Sequence, residues 1–371
     1  MGKAHLLIRE AEHALSWCLR DRLFLPRPVE ASLFLTRTCN SRCSMCDNWR
    51  HKATGSELSI EEIERVLDEL KKMGVAVISL SAEGEITTRR DFPKIVAAVA
   101  RRGFIFSINT NGLHLSEEAA RAIVAARPYS VIIGIDTPDA ERYCTLRGIP
   151  DGVARVKESV RRLRDKGWRA IALGAIVFDT NLDDLIALTQ WVKDEGLQAI
   201  RFTAVQSRGF GQQWDPSQLA PYREDGYQTR LKETIDRLIR LKRRGNPISS
   251  SSAYLRMIPS SYSRNGYFPA SCRTPWRRIH IHPQGEVSLC QVVGEGAMIG
   301  NVREQSIPAI WSSEKAARFR ALVALKKCGG CWLSCYAETN LAYAFPYAIE
   351  AMGNRIRRAV RLLMPLMGIA P

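Results

Sequence analysis

Six short β-rich runs, each followed by an amphipathic helical run, occupy the chain from about residue 30 to 210, and this alternation restricts it to very few folds. The runs are ASLFLT from 31, VAVISLS from 75, FIFSIN from 104, YSVIIGID from 129, IALGAIV from 171 and AIRFTAV from 199. The helical runs carry start signals of their own. Ser59 and Glu62 form a capping box ahead of Ile63, Val66 and Leu70, and Asn181 precedes LDDLIALTQWV. Repeated βα units with right-handed crossovers make a parallel sheet that curls toward a barrel. The expected fold is therefore α/β, a partial (β/α)6 TIM-like barrel. In such a barrel the chemistry belongs in the loops at the carboxyl ends of the strands, after Thr36, Ser81, Asn109, Asp136, Val177 and Val205.

The period changes past a charged helix near 224–244. A Ser-rich segment at 249–263 follows, and then RRIHIH, PQG and EVSLC read as a hairpin. The expected division is an amino-terminal amphipathic helix over 1–28, a barrel core over 29–245, a smaller cysteine-rich α+β domain over 246–340 and a basic amphipathic helix over 341–371. In the last, Ile356, Val360 and Leu363 oppose Arg355, Arg358 and Arg361. These basic ends either cap the domains or rest on the inner face of an anionic membrane.

The 54 Lys and Arg residues outnumber the 38 Asp and Glu, for a formal charge of +16, which favours an anionic partner without choosing one. No run approaches the ~20 apolar residues of a membrane span, and no secretory signal opens the chain, so the expected location is the cytoplasm. A reducing compartment disfavours disulfides, and eight of the ten cysteines fall into two groupings, so metal binding is the natural reading.

The first grouping is Cys39, Cys43 and Cys46 in TCNSRCSMCDNW, a C-x3-C-x2-C in the loop after the first strand. Three thiolates can converge there and leave one coordination position open. A structural zinc ion would need a fourth ligand, for which His51 is placed, although zinc sites usually pair cysteines as C-x2-C.

This triplet, in this barrel context, resembles the radical SAM (S-adenosylmethionine) superfamily over the whole six-unit segment, with Met45 where an aromatic residue often precedes the last cysteine. The resemblance implies a [4Fe-4S] cluster on Cys39, Cys43 and Cys46 whose remaining iron binds SAM and cleaves it to a 5′-deoxyadenosyl radical. It also implies an electron donor such as flavodoxin or ferredoxin. The superfamily's Gly-Gly-Glu-Pro stretch after the second strand here reads Glu83, Gly84, Glu85, Ile86, which departs at its first and last places and leaves Glu85 to meet the methionine amine. By the same resemblance Ser107, Asn109, Asp136 and Asn181 are candidate SAM contacts. Read alone, Asn111-Gly112 is a turn and Asn181 a helix cap.

Five further cysteines are Cys272, Cys290, Cys328, Cys331 and Cys335; between the first two the spacing is C-x12-G-x4-C with Gly285 in the hairpin turn. The pattern resembles SPASM and twitch domains and implies one auxiliary [4Fe-4S] cluster on Cys272, Cys290 and two of the last three. Read without that resemblance, the Cys328–Cys331 pair suits a zinc ribbon equally well.

Cys144 is a candidate hydrogen donor to a product radical, and Arg147 and Arg208 are candidate holders of a substrate carboxylate or phosphate. The expected activity is hydrogen abstraction from an unactivated C–H bond of a sugar, alcohol or lipid-linked small molecule, followed by oxidation, epimerisation or rearrangement. The alternatives are a maturase of a ribosomally made peptide, for which no added recognition module is evident, and a zinc-bearing nucleic-acid-binding protein. Nucleic acid is disfavoured, because no stripe of stacking aromatics interleaves the basic residues.

Overall fold

The computed structural model describes residues 2–19, 24–50, 56–205, 226–262, 271–325 and 331–344. Nine strands form one sheet: β1 (Glu30–Phe34), β2 (Val77–Ser81), β3 (Ile105–Thr110), β4 (Ser130–Gly134), β5 (Ile171–Val177), β6 (Ala199–Ala204), β7 (Arg278–Ile281), β8 (Glu286–Ser288) and β9 (Met298–Asn301). The helices are α1 (Gly2–Cys18), α2 (Ile60–Met73), α3 (Phe92–Arg101), α4 (Glu117–Ala126), α5 (Ala140–Arg147), α6 (Gly152–Asp165), α7 (Leu182–Asp194), α8 (Tyr227–Arg243), α9 (Ser252–Ser261), α10 (Thr274–Arg277), α11 (Ile307–Trp311), α12 (Glu314–Ala324) and α13 (Ser334–Leu341).

All six sequence-predicted βα strands are present, parallel and in chain order from β6 to β1. The sheet stays an open, partial barrel because β1 does not meet β6; instead it pairs in parallel with β7 of the hairpin, and β8 and β9 continue antiparallel. The cysteine-bearing hairpin thus adjoins the strand that carries the first cysteine loop.

Each helix packs for a reason visible in its residues. In α2 the Ser59–Glu62 capping box closes the amino end, Ile63, Val66, Leu67, Leu70 and Met73 bury one face, and Gly74 at φ 82° ends the helix in a left-handed turn. Burying each such aliphatic side chain stabilises the fold by about 1.5–3 kcal/mol. Along β2 and β3, Ile78, Leu80, Phe106 and Ile108 are buried on the helix-covered face, and the alternate residues Ser79, Ser81, Ser107 and Asn109 stay half-exposed on the concave face.

Most of the Ser-rich segment is helical, as α9. Ser251 caps α9 by accepting from the Tyr254 amide, and the chain just before it bridges Ile248 to Ile200 of β6. The amino-terminal helix is present as α1 but stops at Cys18, and the expected helix over 341–371 lies outside the described residues from 345 onward. Among the described residues, no helix is long and apolar enough to cross a membrane.

One consequence concerns pH. His13 of α1 is fully buried and donates through Nε2 to the Arg27 carbonyl at 2.8 Å; burial and the nearby Arg277 charge push its pKa from 6.5 down to about 3. Between those values the unfolded chain binds a proton that the folded chain refuses, so stability falls as pH drops below 6.5, by about 1.4 kcal/mol per unit. Melting temperatures of wild type and His13→Gln from pH 7 to 5 are expected to converge as pH falls; parallel curves would contradict this.

Candidate active site

The loop after β1 holds Cys39, Cys43 and Cys46, all half-buried. Its shape is set from across the barrel by the end of α5. A helix leaves its last carbonyls without intrahelical donors, and here the loop supplies them: Arg42 N and Ser41 Oγ donate to the Arg147 carbonyl at 3.2 and 2.9 Å, and Ser44 N to the Leu146 carbonyl at 2.9 Å. Within the loop, Trp49 Nε1 donates to the Cys43 carbonyl at 3.2 Å, and Ser41 Oγ lies 3.2 Å from Cys43 Sγ. Burial raises the Cys39 thiol and pushes Cys46 up to about 11, each with the neighbouring cysteines adding to the rise. The three thiols therefore feel one another, and binding iron would deprotonate them.

The loop after β2 lies directly on the cysteine loop. Gly84 N and Glu85 N donate to the Thr36 and Thr38 carbonyls at 3.0 and 2.8 Å, and a Cβ on Gly84 would stand 2.1 Å from the Thr38 oxygen. Only glycine fits there. The Glu85 carboxylate, 3% exposed, accepts from Thr110 Oγ1 at 2.5 Å, Asn111 N at 2.7 Å, and Thr87 N and Oγ1 at 3.1 and 2.8 Å. Burial raises its pKa despite these bonds. Glu85 thus ties the β2 loop to the end of β3.

Ser107 and Asn109 lie on the concave face. Asn109 donates to Ser79 Oγ at 3.0 Å and the Leu80 carbonyl at 3.2 Å, and Ser32, Ser79, Ser107 and Ser130 stand in register across four strands.

Asp136 and Asn181 are both buried and bonded to protein groups. Asp136, 0% exposed, holds the Arg147 guanidinium at 2.7 and 2.8 Å and accepts from Ile176 N at 2.8 Å. Asn181 accepts from Phe178 N at 2.7 Å and donates to the Asp136 and Ile176 carbonyls, both at 2.8 Å; it makes no cap bond to α7. Arg147, expected to reach a substrate, is spent on Asp136. Cys144 is half-buried within helix α5. His51 and Arg208 lie outside the described residues.

At the far side of β1, four thiols share one neighbourhood. Cys331 is half-buried, and desolvation raises its pKa well above the ordinary thiol range, with further rises from Cys290, Cys335 and Cys272. Backbone amides two residues on donate to sulfur, Val292 N to Cys290 at 3.3 Å and Leu333 N to Cys331 at 3.4 Å. Cys328 lies outside the described residues. Among the described residues, no three Cys, His, Asp or Glu side chains are gathered closely enough for a single metal ion. Thiolates around a four-iron cluster bind separate irons, so each donor set fits a cluster through its chemistry and mutual proximity.

Sequence reasoning did not assign Glu83, Arg37 or His282, which join these two regions; the glutamate at 83, where glycine was expected, was the available signal.

Comparison with known proteins adds the following. Residues 33–192 match the family description "Radical SAM superfamily", and residues 272–332 match "Iron-sulfur cluster-binding domain", SPASM. The chain is 24% identical over 323 residues, 83% of its length and 68% of the other's, to the antilisterial bacteriocin subtilosin biosynthesis protein AlbA of Bacillus subtilis (strain 168). It is 25% identical over 313 residues, 82% of its length and 80% of the other's, to the PqqA peptide cyclase of Xanthomonas axonopodis pv. citri (strain 306). Among solved structures, Streptococcus suis SuiB bound to precursor peptide SuiA superposes with a TM-score of 0.66 at 14% identity, covering 91% of this chain and 78% of that one. Native anSMEcpe with bound AdoMet superposes at 0.61 and 15% identity, covering 91% and 100%.

Proposed function

Because this chain is a radical SAM enzyme with a carboxyl-terminal SPASM iron-sulfur domain, and so carries [4Fe-4S] clusters and uses S-adenosylmethionine, we propose that its substrate is a ribosomally made precursor peptide. The observation that carries this reading is the alignment over more than four-fifths of the chain with proteins named for bacteriocin biosynthesis and for cyclising the PqqA peptide. It reverses the order expected from sequence, in which a sugar, alcohol or lipid-linked molecule came first.

We assign the SAM-binding cluster to Cys39, Cys43 and Cys46, and the auxiliary cluster to Cys272, Cys290, Cys331 and Cys335. When bound, the first cluster and SAM supply a 5′-deoxyadenosyl radical, the hard chemistry that no side chain can provide. The protein's own work is positioning. The carbonyls at the end of α5 anchor the cysteine loop, Gly84 brings the β2 loop to within backbone contact of that loop, and Glu85 locks it to β3. Ser107 and Asn109 are assigned to the SAM-facing wall. Asp136 and Asn181, fully buried, act through Arg147 and the backbone of β5 and are positioning residues. Cys144 remains the candidate hydrogen donor, and the division into a core over 29–245 and an auxiliary domain over 246–340 remains our assignment.

The test is direct. Anaerobically reconstituted protein, SAM and dithionite are incubated with synthetic peptides translated from short reading frames beside the gene, and the peptides are weighed by mass spectrometry. A SAM-dependent mass change supports the reading. Unchanged peptides, with turnover only when sugars or alcohols are supplied, would return the assignment to small molecules.

A further inference from the structure

Position 83 is one of the two places where the stretch after β2 leaves the pattern it resembles, and the glutamate there joins several elements. Its Oε1 accepts from His282 Nδ1 at 2.6 Å and its Oε2 from Arg37 Nε at 2.8 Å. Arg37 lies two residues before Cys39 and also donates to Gln284 Oε1 at 3.1 Å, with Glu286 at 3.6 Å. His282 just follows β7, is 3% exposed, and its Nε2 stands 2.8 Å from Ser288 Oγ of β8. One carboxylate therefore ties together the cysteine loop, the loop carrying Gly84 and Glu85, and the β7–β8 hairpin.

The contacts continue beyond the hairpin. The Phe34 ring, at the end of β1, stacks on His282 and His280 with centroids 5.3 and 5.9 Å apart, and His280 Nε2 bonds the Tyr336 hydroxyl at 2.9 Å. Tyr336 follows Cys335 directly. A buried, contiguous column thus runs from the loop of the first cysteines to the neighbourhood of the second group. Burial alone would raise the pKa of Glu83, but the His282 hydrogen bond and the Arg37 guanidinium outweigh it and hold the group below the ordinary carboxylate range. The carboxylate stays ionised, and its bonds are of the stronger, charge-assisted kind.

We infer that Glu83 is a positioning residue for SAM binding: through His282 and Arg37 it fixes the Gly84–Glu85 loop against the cysteine loop, making the carboxyl-terminal hairpin part of the SAM site. A glycine at 83 would leave the loop to hold itself. The inference rests on the reading of Cys39, Cys43 and Cys46 as the SAM-binding cluster site, and the experiment separates the two.

SAM dissociation constants are measured by equilibrium dialysis on the anaerobically reconstituted full chain, for wild type, Glu83→Gln, His282→Gln and the double variant. Iron content and melting temperature are recorded for each, as is the paramagnetic resonance spectrum of the reduced cluster with and without SAM. Each single variant is expected to weaken SAM binding about tenfold, a typical coupling between linked sites. The double variant should lose about tenfold as well, because both changes cut one linkage. The SAM-induced change in the spectrum should shrink in step, which a merely structural ion pair would not cause. SAM affinity unchanged in variants that keep their iron would overturn the inference, as would independent, multiplying losses. If His282→Gln fails to hold iron, Ser288→Ala removes only the outer partner of the ring; a weaker SAM affinity supports the linkage and an unchanged one overturns it. Wild type that binds iron but no SAM would overturn the functional reading instead.

Discussion

Replacing Cys39, Cys43 and Cys46 together by alanine is expected to abolish 5′-deoxyadenosine release while leaving about four of about eight irons on the chain. The three thiols lie in one short loop after β1 and feel one another electrostatically, and that loop is anchored to α5 mainly through backbone groups that the substitutions do not touch. The fold should therefore survive while the first cluster cannot form. The second cysteine group sits on the other side of β1, around Cys331, and keeps its own donors. Iron analysis and chromatography of the nucleoside product check both parts. Release that persists in the triple variant would mean that another set of residues holds the reactive cluster.

Arg147→Met should cost about 3–5 kcal/mol of stability, because it leaves the Asp136 carboxylate buried without its counter-ion. Asp136 has one further donor, Ile176 N, and no exposed surface from which water could replace the guanidinium. Burial by itself would discharge Arg147, and the Asp136 charge outweighs that and holds it protonated. At this chain length the loss corresponds to a melting temperature lower by roughly 5 °C. Pairing Arg147→Met with Asp136→Leu removes both charges and should recover most of the loss, since a buried ion pair replaced by apolar groups is often neutral. Thermal melts of both variants test this; equal losses in the single and the double would show that the pair's charges are not what matters.

The parallel strands were legible because each is a short apolar run followed by a helix of clear period, and α2 carried its own start signal in Ser59 and Glu62. The cysteine spacings were legible for the same local reason. The pairing of β1 with β7 was not, since 248 residues separate Glu30 from Arg278 and neither run encodes its partner. Nor were the hydrogen-bond partners of Asp136 and Asn181. Both sit at strand ends where a cofactor contact is expected, but the bonds they make depend on Arg147 and β5, which no spacing reveals. The helix within the Ser-rich segment was not legible either, where Ser251 caps α9 and Ser250 Oγ bonds the β6 backbone. Substrate class was least legible of all, because the concave face carries small hydroxyls that suit many molecules.

The most direct test of the peptide reading follows the abstracted hydrogen. Reconstituted enzyme, SAM and dithionite would be incubated with a perdeuterated precursor peptide, and the 5′-deoxyadenosine examined by mass spectrometry. Deuterium in the nucleoside together with a modified peptide is the expected result. Nucleoside formed without deuterium, beside an unaltered peptide, would contradict the account.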